Sequence, residues 1–427
     1  MRKIHWFSPL PPAKTDIANY TARLLDALRR QAEVVLWTPT PSDQVSVSGV
    51  VRPLMLARTA VEELNTASAI FYNLGNHGPF HCEILKQSWT VPGIVIAHEA
   101  DLHGLLAYVW VEHLRRPNLY LREMFNIYGR SGLKVAEARL RGEDVSNELQ
   151  SMPLFSAALR NCIGAVCHSN SAAAELRKNG TPYFQADLPF GEIQLERKRP
   201  RTGPIRIVQF GFLNPHRRTL AILDLLANWE QRSQVRLDIY GSLWDQHLVE
   251  TRIRELGLQD VVTIHGFVSE DILNDRLSTA DLVLNLRYPT IGEASGSQLR
   301  IWNASVPSLV TNIGWFKDLP EDTVLKIDPS QETSQVREIL ERLIVDRYCL
   351  DGIGHKGHEV LKVRHSPDDY ASRLILASRE IGALRRRAGS IAVLESATVN
   401  FREMDSKTLS ATAFSDCKHR LSRVFIQ

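Results

Sequence analysis

Short runs of β-branched and aromatic residues alternate with stretches of helical apolar spacing along this chain, and they do so in two separate series. The first series reads KIHWFS at 3 to 8, EVVLWT at 33 to 38, AIFYNLG at 69 to 75, GIVIAH at 93 to 98 and GAVCHS at 164 to 169. Each is continuous enough to be buried on both faces, as parallel strands under helices are. Stretches between them, such as IANYTARLLDALRR at 17 to 30, place apolar residues three and four apart, the period of a helix packed by one face. Alternation of this kind predicts a doubly wound parallel α/β layer.

The pattern stops at 188 to 204, LPFGEIQLERKRPRTGP, where proline, glycine and charge replace periodicity, and this is the expected interdomain linker. It restarts with IRIVQFG at 205 to 211, VRLDIYG at 235 to 241, VVTIHG at 261 to 266, DLVLNLR at 281 to 287 and PSLVT at 307 to 311. A chain of 427 residues exceeds what one core supports, in keeping with two domains. The division expected is 1–190 for a first Rossmann-like domain, 191–204 for the linker, 205–388 for a second, and 389–427 for a C-terminal extension. That extension either crosses back to the first domain or docks loosely. Residues 101 to 160 read as an inserted, mostly helical layer with Trp110, Tyr120, Phe125 and Tyr128 as packing residues.

A net charge of +3 is too small to imply a nucleic-acid partner. The local basic runs, Arg197 to Arg201 and Arg385 to Arg387, read first as solvated charge, with peripheral membrane contact as the alternative. Five widely spaced cysteines without a Cys-x-x-Cys pair suggest a reducing, cytoplasmic setting, and no run of about eighteen apolar residues spans a membrane. The opening residues carry too brief an apolar run for a secretory leader.

Open α/β sheets bind ligands in the crevice at the carboxyl ends of their strands, so the loops after strands carry the chemistry. The most informative is LRYPTIGEASGSQLRIWNASVPSLVT, 286 to 311, where a glycine-bearing turn leads into a helix near Gly296. Backbone N–H groups of Gly296, Ser297 and Gln298 at that start would suit an anion such as a diphosphate.

Together with that loop, Phe210-Gly211-Phe212, Asn214-Pro215-His216-Arg217-Arg218, Ser8-Pro9-Leu10-Pro11-Pro12, Leu74-Gly75-Asn76 and His98-Glu99 follow the order of a known family's motifs. The chain over about 1 to 330 resembles the family-4 retaining glycosyltransferases, whose fold is GT-B, two Rossmann-like domains facing a cleft. The resemblance implies a UDP- or GDP-sugar donor, a glycan or lipid-linked acceptor, and a place in surface polysaccharide synthesis. Because no Asp-x-Asp or His/Cys ligand cluster accompanies the phosphate site while Arg217 and helix-start amides do, no metal cofactor is expected. It places Arg217 where the family has a lysine on the donor diphosphate, Glu293 at the first glutamate of the paired-glutamate motif, against the donor sugar, and His98 near the transferred sugar. Gly211 falls where backbone passes close to phosphate; Arg218, Ser295, Gly296, Ser297, Arg300, Phe267, Val268 and Asp16 complete the implied donor site.

Each residue has a plainer reading: Arg217 and Arg218 as charges in a first helical turn, Glu293 as a helix-start carboxylate, His98 as a strand-end histidine, Ser169 and Asp16 as N-caps. Three departures stand out. The family's second glutamate, on the donor ribose, is replaced by Arg300 or Ile301 according to the end from which one counts. Asp16 stands for a glycine that would admit phosphate, and Glu99 for an aspartate. A non-catalytic nucleotide-sugar-binding partner of an active transferase therefore stays open, as, more remotely, does a nucleotide-sugar epimerase.

Overall fold

The computed structural model describes residues 2–41, 44–58, 60–65, 67–198 and 202–383. The run Arg199 to Arg201, the run Arg385 to Arg387 and the extension from 389 lie outside the described residues.

The first domain holds a seven-stranded parallel sheet in the order β3-β2-β1-β4-β5-β6-β7. Its strands are β1 Lys3–Phe7, β2 Glu33–Thr38, β3 Val50–Pro53, β4 Ala69–Leu74, β5 Ile94–Ala97, β6 Gly164–Cys167 and β7 Tyr183–Gln185. Five are those read from sequence. The two edge strands, β3 and β7, were not legible, being only three or four residues long and partly exposed. Period-two alternation sorts the inner strands onto two cores: Phe7, Val35, Trp37 and Tyr72 on one face, Ile4, Trp6, Leu36 and Phe71 on the other.

Helix α1, Asp16–Arg29, covers the second face with Ile17, Tyr20, Leu24, Leu25 and Leu28. Burying each of these large apolar side chains stabilises by roughly 1.5–3 kcal/mol. Thr15, not Asp16, is its N-cap, its hydroxyl accepting from Ile17 N–H at 3.4 Å; Asp16 is the first helical residue, where its charge suits the helix dipole. The inserted layer is helical, chiefly α2, Pro117–Leu140, broken at Gly129 with φ +65°. Trp110 and Tyr120 are buried there, whereas Phe125 is exposed. Ser169 caps α3, Asn170–Lys178, accepting from Ala172 N–H at 3.1 Å.

The second sheet is also all parallel, ordered β10-β9-β8-β11-β12-β13, with β8 Ile205–Leu213, β9 Val235–Leu243, β10 Val262–Gly266, β11 Leu282–Leu284, β12 Ser308–Thr311 and β13 Leu325–Ile327. Three helices matter below: α4, Glu270–Thr279; α5, Gly296–Asn303; and α6, Asp351–Arg364. In each sheet the connections reverse direction beside the first strand, between β1 and β4 and between β8 and β11, which opens a crevice at their carboxyl ends.

The chain crosses between domains twice, side by side. His365 Nδ1–H donates to Leu188 O at 2.6 Å and Phe190 N–H to His365 O at 2.8 Å, tying the outgoing linker to the return. Asn303 clamps Ile193 through both its amide atoms at 2.9 Å, and Arg197 caps the end of α4 by donating to the carbonyls of Leu277 and Ala280. Arg197 is thus a structural cap. The helix from 367 to 383 then packs through Tyr370, Leu374, Ala377 and Ile381 into the core that holds Ile4 and Trp6. Sequence division had left residues up to 388 with the second domain. The return comes earlier because the apolar face of this helix packs beside α1 on the same face of the first sheet.

Candidate active site at the interdomain crevice

Near its carboxyl end strand β8 carries Gly211, with φ +108°, and in register beside it β9 carries Gly241, with φ +110°. A Cβ on Gly241 would lie 2.1 Å from Gly211 O, so a side chain is excluded there, while a Cβ on Gly211 would meet nothing nearer than Ser297 Oγ at 3.7 Å. The space between Gly211 and the start of α5 is therefore open, with the Ser297 hydroxyl on its far side. Ser295 caps α5 with its hydroxyl 3.2 Å from Gln298 N, which removes Gln298 from the three amides expected to be available and leaves Gly296 and Ser297. The Ser295 hydroxyl also meets Asn285 and Arg287 and is fully buried, so it shapes the loop from within.

Arg217 is buried, and one terminal nitrogen donates to Phe210 O at 3.1 Å while its Nε–H has no partner. Burial pushes its pKa down to about 10, the Asp16 carboxylate opposing. Arg287, at the end of the adjacent strand β11, is pushed down to about 9 by burial and by the Arg217 charge, with Asp16 and Glu99 opposing. Its guanidinium pairs with Glu293, donates to Ser295 Oγ at 3.1 Å and stacks 5.6 Å from the Phe316 ring, and again the buried Nε–H is unpartnered. Glu293 meanwhile accepts from Ile291 N–H at 3.2 Å, so much of its acceptor capacity is used inside its own loop. Sequence reasoning placed Arg287 in a motif without giving it a role; its position directly after a strand beside the switch point was the available signal. Arg218, in the left-handed region at φ +64°, turns aside to Glu332 at 3.0 Å.

From the first domain, Asn73 Nδ2–H donates to Phe7 O, so Asn73 Oδ1 faces His98 and accepts from its Nε2–H at 3.1 Å. Nδ1 is left as the ring's acceptor. Burial, with His168 and His81 adding, holds the His98 pKa well below the usual histidine range, so the ring is neutral. Tyr20 lies edge-on to it at 4.8 Å and donates to the Tyr370 hydroxyl of the returning helix at 3.0 Å. Glu99 accepts from Asn76 N–H at 3.0 Å, and its pKa is raised to about 7, mainly by burial.

The two domains meet across this crevice. Ala100 N–H donates to Ile291 O at 3.2 Å and Ser169 Oγ–H to Gly292 O at 2.6 Å. Gly292 has φ +79°, and a Cβ on it would lie 2.6 Å from Ala100 Cβ, so the contact requires glycine. Lys14 sits 5.0 Å from the Phe267 ring, and Arg23 of α1 pairs with Glu270 at the start of α4. Phe267 is exposed and Val268 half-buried in the loop before that helix. The structure thus gathers Asp16, His98, Gly211, Arg217, Glu293, Gly296 and Ser297 around one crevice, whereas Arg218 and Ser295 are engaged elsewhere. Arg300 is buried one turn along α5, donating to Asn274 Oδ1 at 2.8 Å and paired with Glu270. Among the described residues, one His/Cys/Asp/Glu group converges, Cys82, Glu83 and His113, and there the Lys86 ammonium is bonded to Glu83 at 2.7 Å and lies 3.0 Å from His113.

No family model and no curated protein matches this chain. Solved structures do. Sucrose-phosphate synthase from Thermosynechococcus elongatus aligns at 16% identity over 90% of this chain and 100% of its own, with a TM-score of 0.62. HepE of Anabaena, solved with UDP-glucose, aligns at 12% over 88% and 99%, with 0.60. WaaG, a glycosyltransferase involved in lipopolysaccharide biosynthesis, aligns at 13% over 86% and 98%, with 0.56. The fold is GT-B, two parallel-sheet Rossmann-like domains facing a crevice. No helix among the described residues is long and apolar enough to cross a membrane.

Proposed function

We propose that this chain is a retaining glycosyltransferase moving a hexose or deoxyhexose from a UDP- or GDP-sugar to a glycan or lipid-linked acceptor in surface polysaccharide synthesis, on the cytoplasmic side. The observation that carries the reading is the pair Arg217 and Arg287: two neighbouring buried guanidiniums that repel each other, each with an unpartnered Nε–H, beside the open gap between Gly211 and α5. Glu293 pairs with Arg287 but, among the described residues, no carboxylate pairs with Arg217, so one buried positive charge stays uncompensated unless an anion completes the arrangement, and unpaired buried charge is costly. A diphosphate would take up both guanidiniums and the Gly296 and Ser297 amides. When the sugar C1–oxygen bond breaks, the leaving diphosphate gains negative charge, and donors already in place stabilise it without rearranging. That supply of positive charge makes a divalent metal unnecessary, so transfer should persist in chelator. His98, with Nδ1 as acceptor, suits a sugar hydroxyl. For a lipid-linked acceptor, exposed Phe125, with exposed Arg122 one turn before it on α2, suits the surface of an anionic bilayer.

A second reading, a non-catalytic binding partner, is favoured by Asp16, whose charge already faces Arg217 and Arg287. A melting-temperature screen of UDP, GDP and their sugars tests the donor site, since a ligand that binds the folded state at 100 times its Kd stabilises by about 2.7 kcal/mol. No shift with any of them would refute both readings. Binding with neither donor hydrolysis nor transfer by the purified chain would favour the second.

A further inference from the structure

We infer that Glu270 is the carboxylate that holds the ribose hydroxyls of a nucleoside diphosphate in this crevice, with Arg300 as its positioning residue; the inference rests on the donor-site reading above. Glu270 opens α4 directly after the Phe267-Val268 loop, and its side chain is about half exposed at 48%. Two arginines converge on it, Arg300 from α5 and Arg23 from α1 of the first domain, and both donate to the same oxygen, Oε1. Among the described residues, Oε2 has no hydrogen-bond partner. The charges of Arg300 and Arg23 outweigh burial and keep the carboxyl ionised at neutral pH.

Position supports the role. Arg300 stands four residues beyond Gly296, and it is the guanidinium of this residue that holds Glu270; its backbone lies about 6 Å along the α5 axis from the amides assigned to the phosphates. That is comparable with the reach from a diphosphate to the sugar hydroxyls of the same nucleotide. Arg300 is itself fixed, its other terminal nitrogen donating to Asn274 Oδ1 one turn further along α4, and as a guanidinium it has no acceptor to offer a hydroxyl. A vicinal diol needs an acceptor, and an ionised carboxylate fixed at one oxygen and open at the other provides one through charge-assisted bonds.

Calorimetric titration of the full chain with UDP and GDP, their 2′-deoxy and 3′-deoxy counterparts, and inorganic pyrophosphate tests this. Wild type should bind the ribonucleotide roughly ten- to a hundredfold more tightly than a deoxy form, the range of one charged hydrogen bond. Glu270→Gln should bring that ratio close to unity while leaving pyrophosphate affinity unchanged. Nucleotides bound by wild type without preference for ribose would overturn the inference and spare the donor site, whether or not the variant folds. Equal weakening of ribo and deoxy forms in Glu270→Gln would also overturn it, reducing Glu270 to an interdomain ion bridge. If neither nucleotide nor pyrophosphate binds wild type, the donor-site reading fails and this one with it.

Discussion

Replacing Arg217 by methionine should leave the free protein at least as stable as wild type while removing its response to donor. The guanidinium is buried, and burial lowers its pKa by roughly two to three units from the ordinary arginine value, to about 10. At roughly 1.4 kcal/mol per pH unit, holding the charge in the folded chain at pH 7 costs about 3 kcal/mol. The unfolded chain binds that proton more tightly, so the cost applies at every pH below the folded value. Methionine removes it, keeps most of the volume, and forfeits the bond to Phe210 O, worth about 1 kcal/mol. The balance is about 2 kcal/mol in favour of the variant. Loss of a charged bond to diphosphate works the other way on catalysis, lowering kcat/KM by roughly ten- to a hundredfold. Because the charge acts on the leaving group, kcat should fall as well. Arg217→Lys should restore part of the activity, since the point charge survives while the planar fork is lost. Melting curves with and without UDP-sugar, and steady-state kinetics, measure both effects. An Arg217→Met chain that is several kcal/mol less stable yet binds nucleotide normally would show the residue to be a packing element and refute the reasoning.

Glu99, whose carboxyl is raised to about 7, binds its proton more tightly when folded, so it contributes stability at pH below about 4.5 that is lost as pH rises through 7. Glu99→Gln should therefore flatten the fall in denaturant midpoint between pH 5 and pH 8, and an unchanged slope would locate that fall elsewhere, Asp101 being the next candidate. Asp16→Asn removes a negative charge facing Arg217 and Arg287 and should tighten nucleoside diphosphate binding by on the order of tenfold, the scale of a partly screened charge. Weaker binding by calorimetry would mean that Asp16 itself contacts the ligand. Gly292→Ala forces a Cβ against Ala100 and should open the crevice, raising KM and the radius of gyration by scattering, with kcat less affected. If both stay at wild-type values, the domains do not need this contact to close.

Much of the site was legible in the sequence because its markers are local. Ser295 followed by Gly296 after a buried strand announces a helix start, and Gly211 marks a strand end with backbone in the left-handed region. What was not legible depends on partners distant in the chain. Arg287 acquires its meaning from lying beside Arg217, the two coming from loops after adjacent strands, Glu270 from two arginines on two other helices, and Gln298 loses its expected role to a cap.

The sequence by itself determined the two series of strands and helices, the break between them and the helix start at Gly296, because hydrophobic period and capping act over a few residues. The tertiary structure alone decided which strands are neighbours, hence which loops share a crevice, and where the chain returns to cover the first sheet with the helix from 367 to 383. It also decided which charges are buried together. The cost of burying a guanidinium depends on everything packed around it, and no local pattern records that.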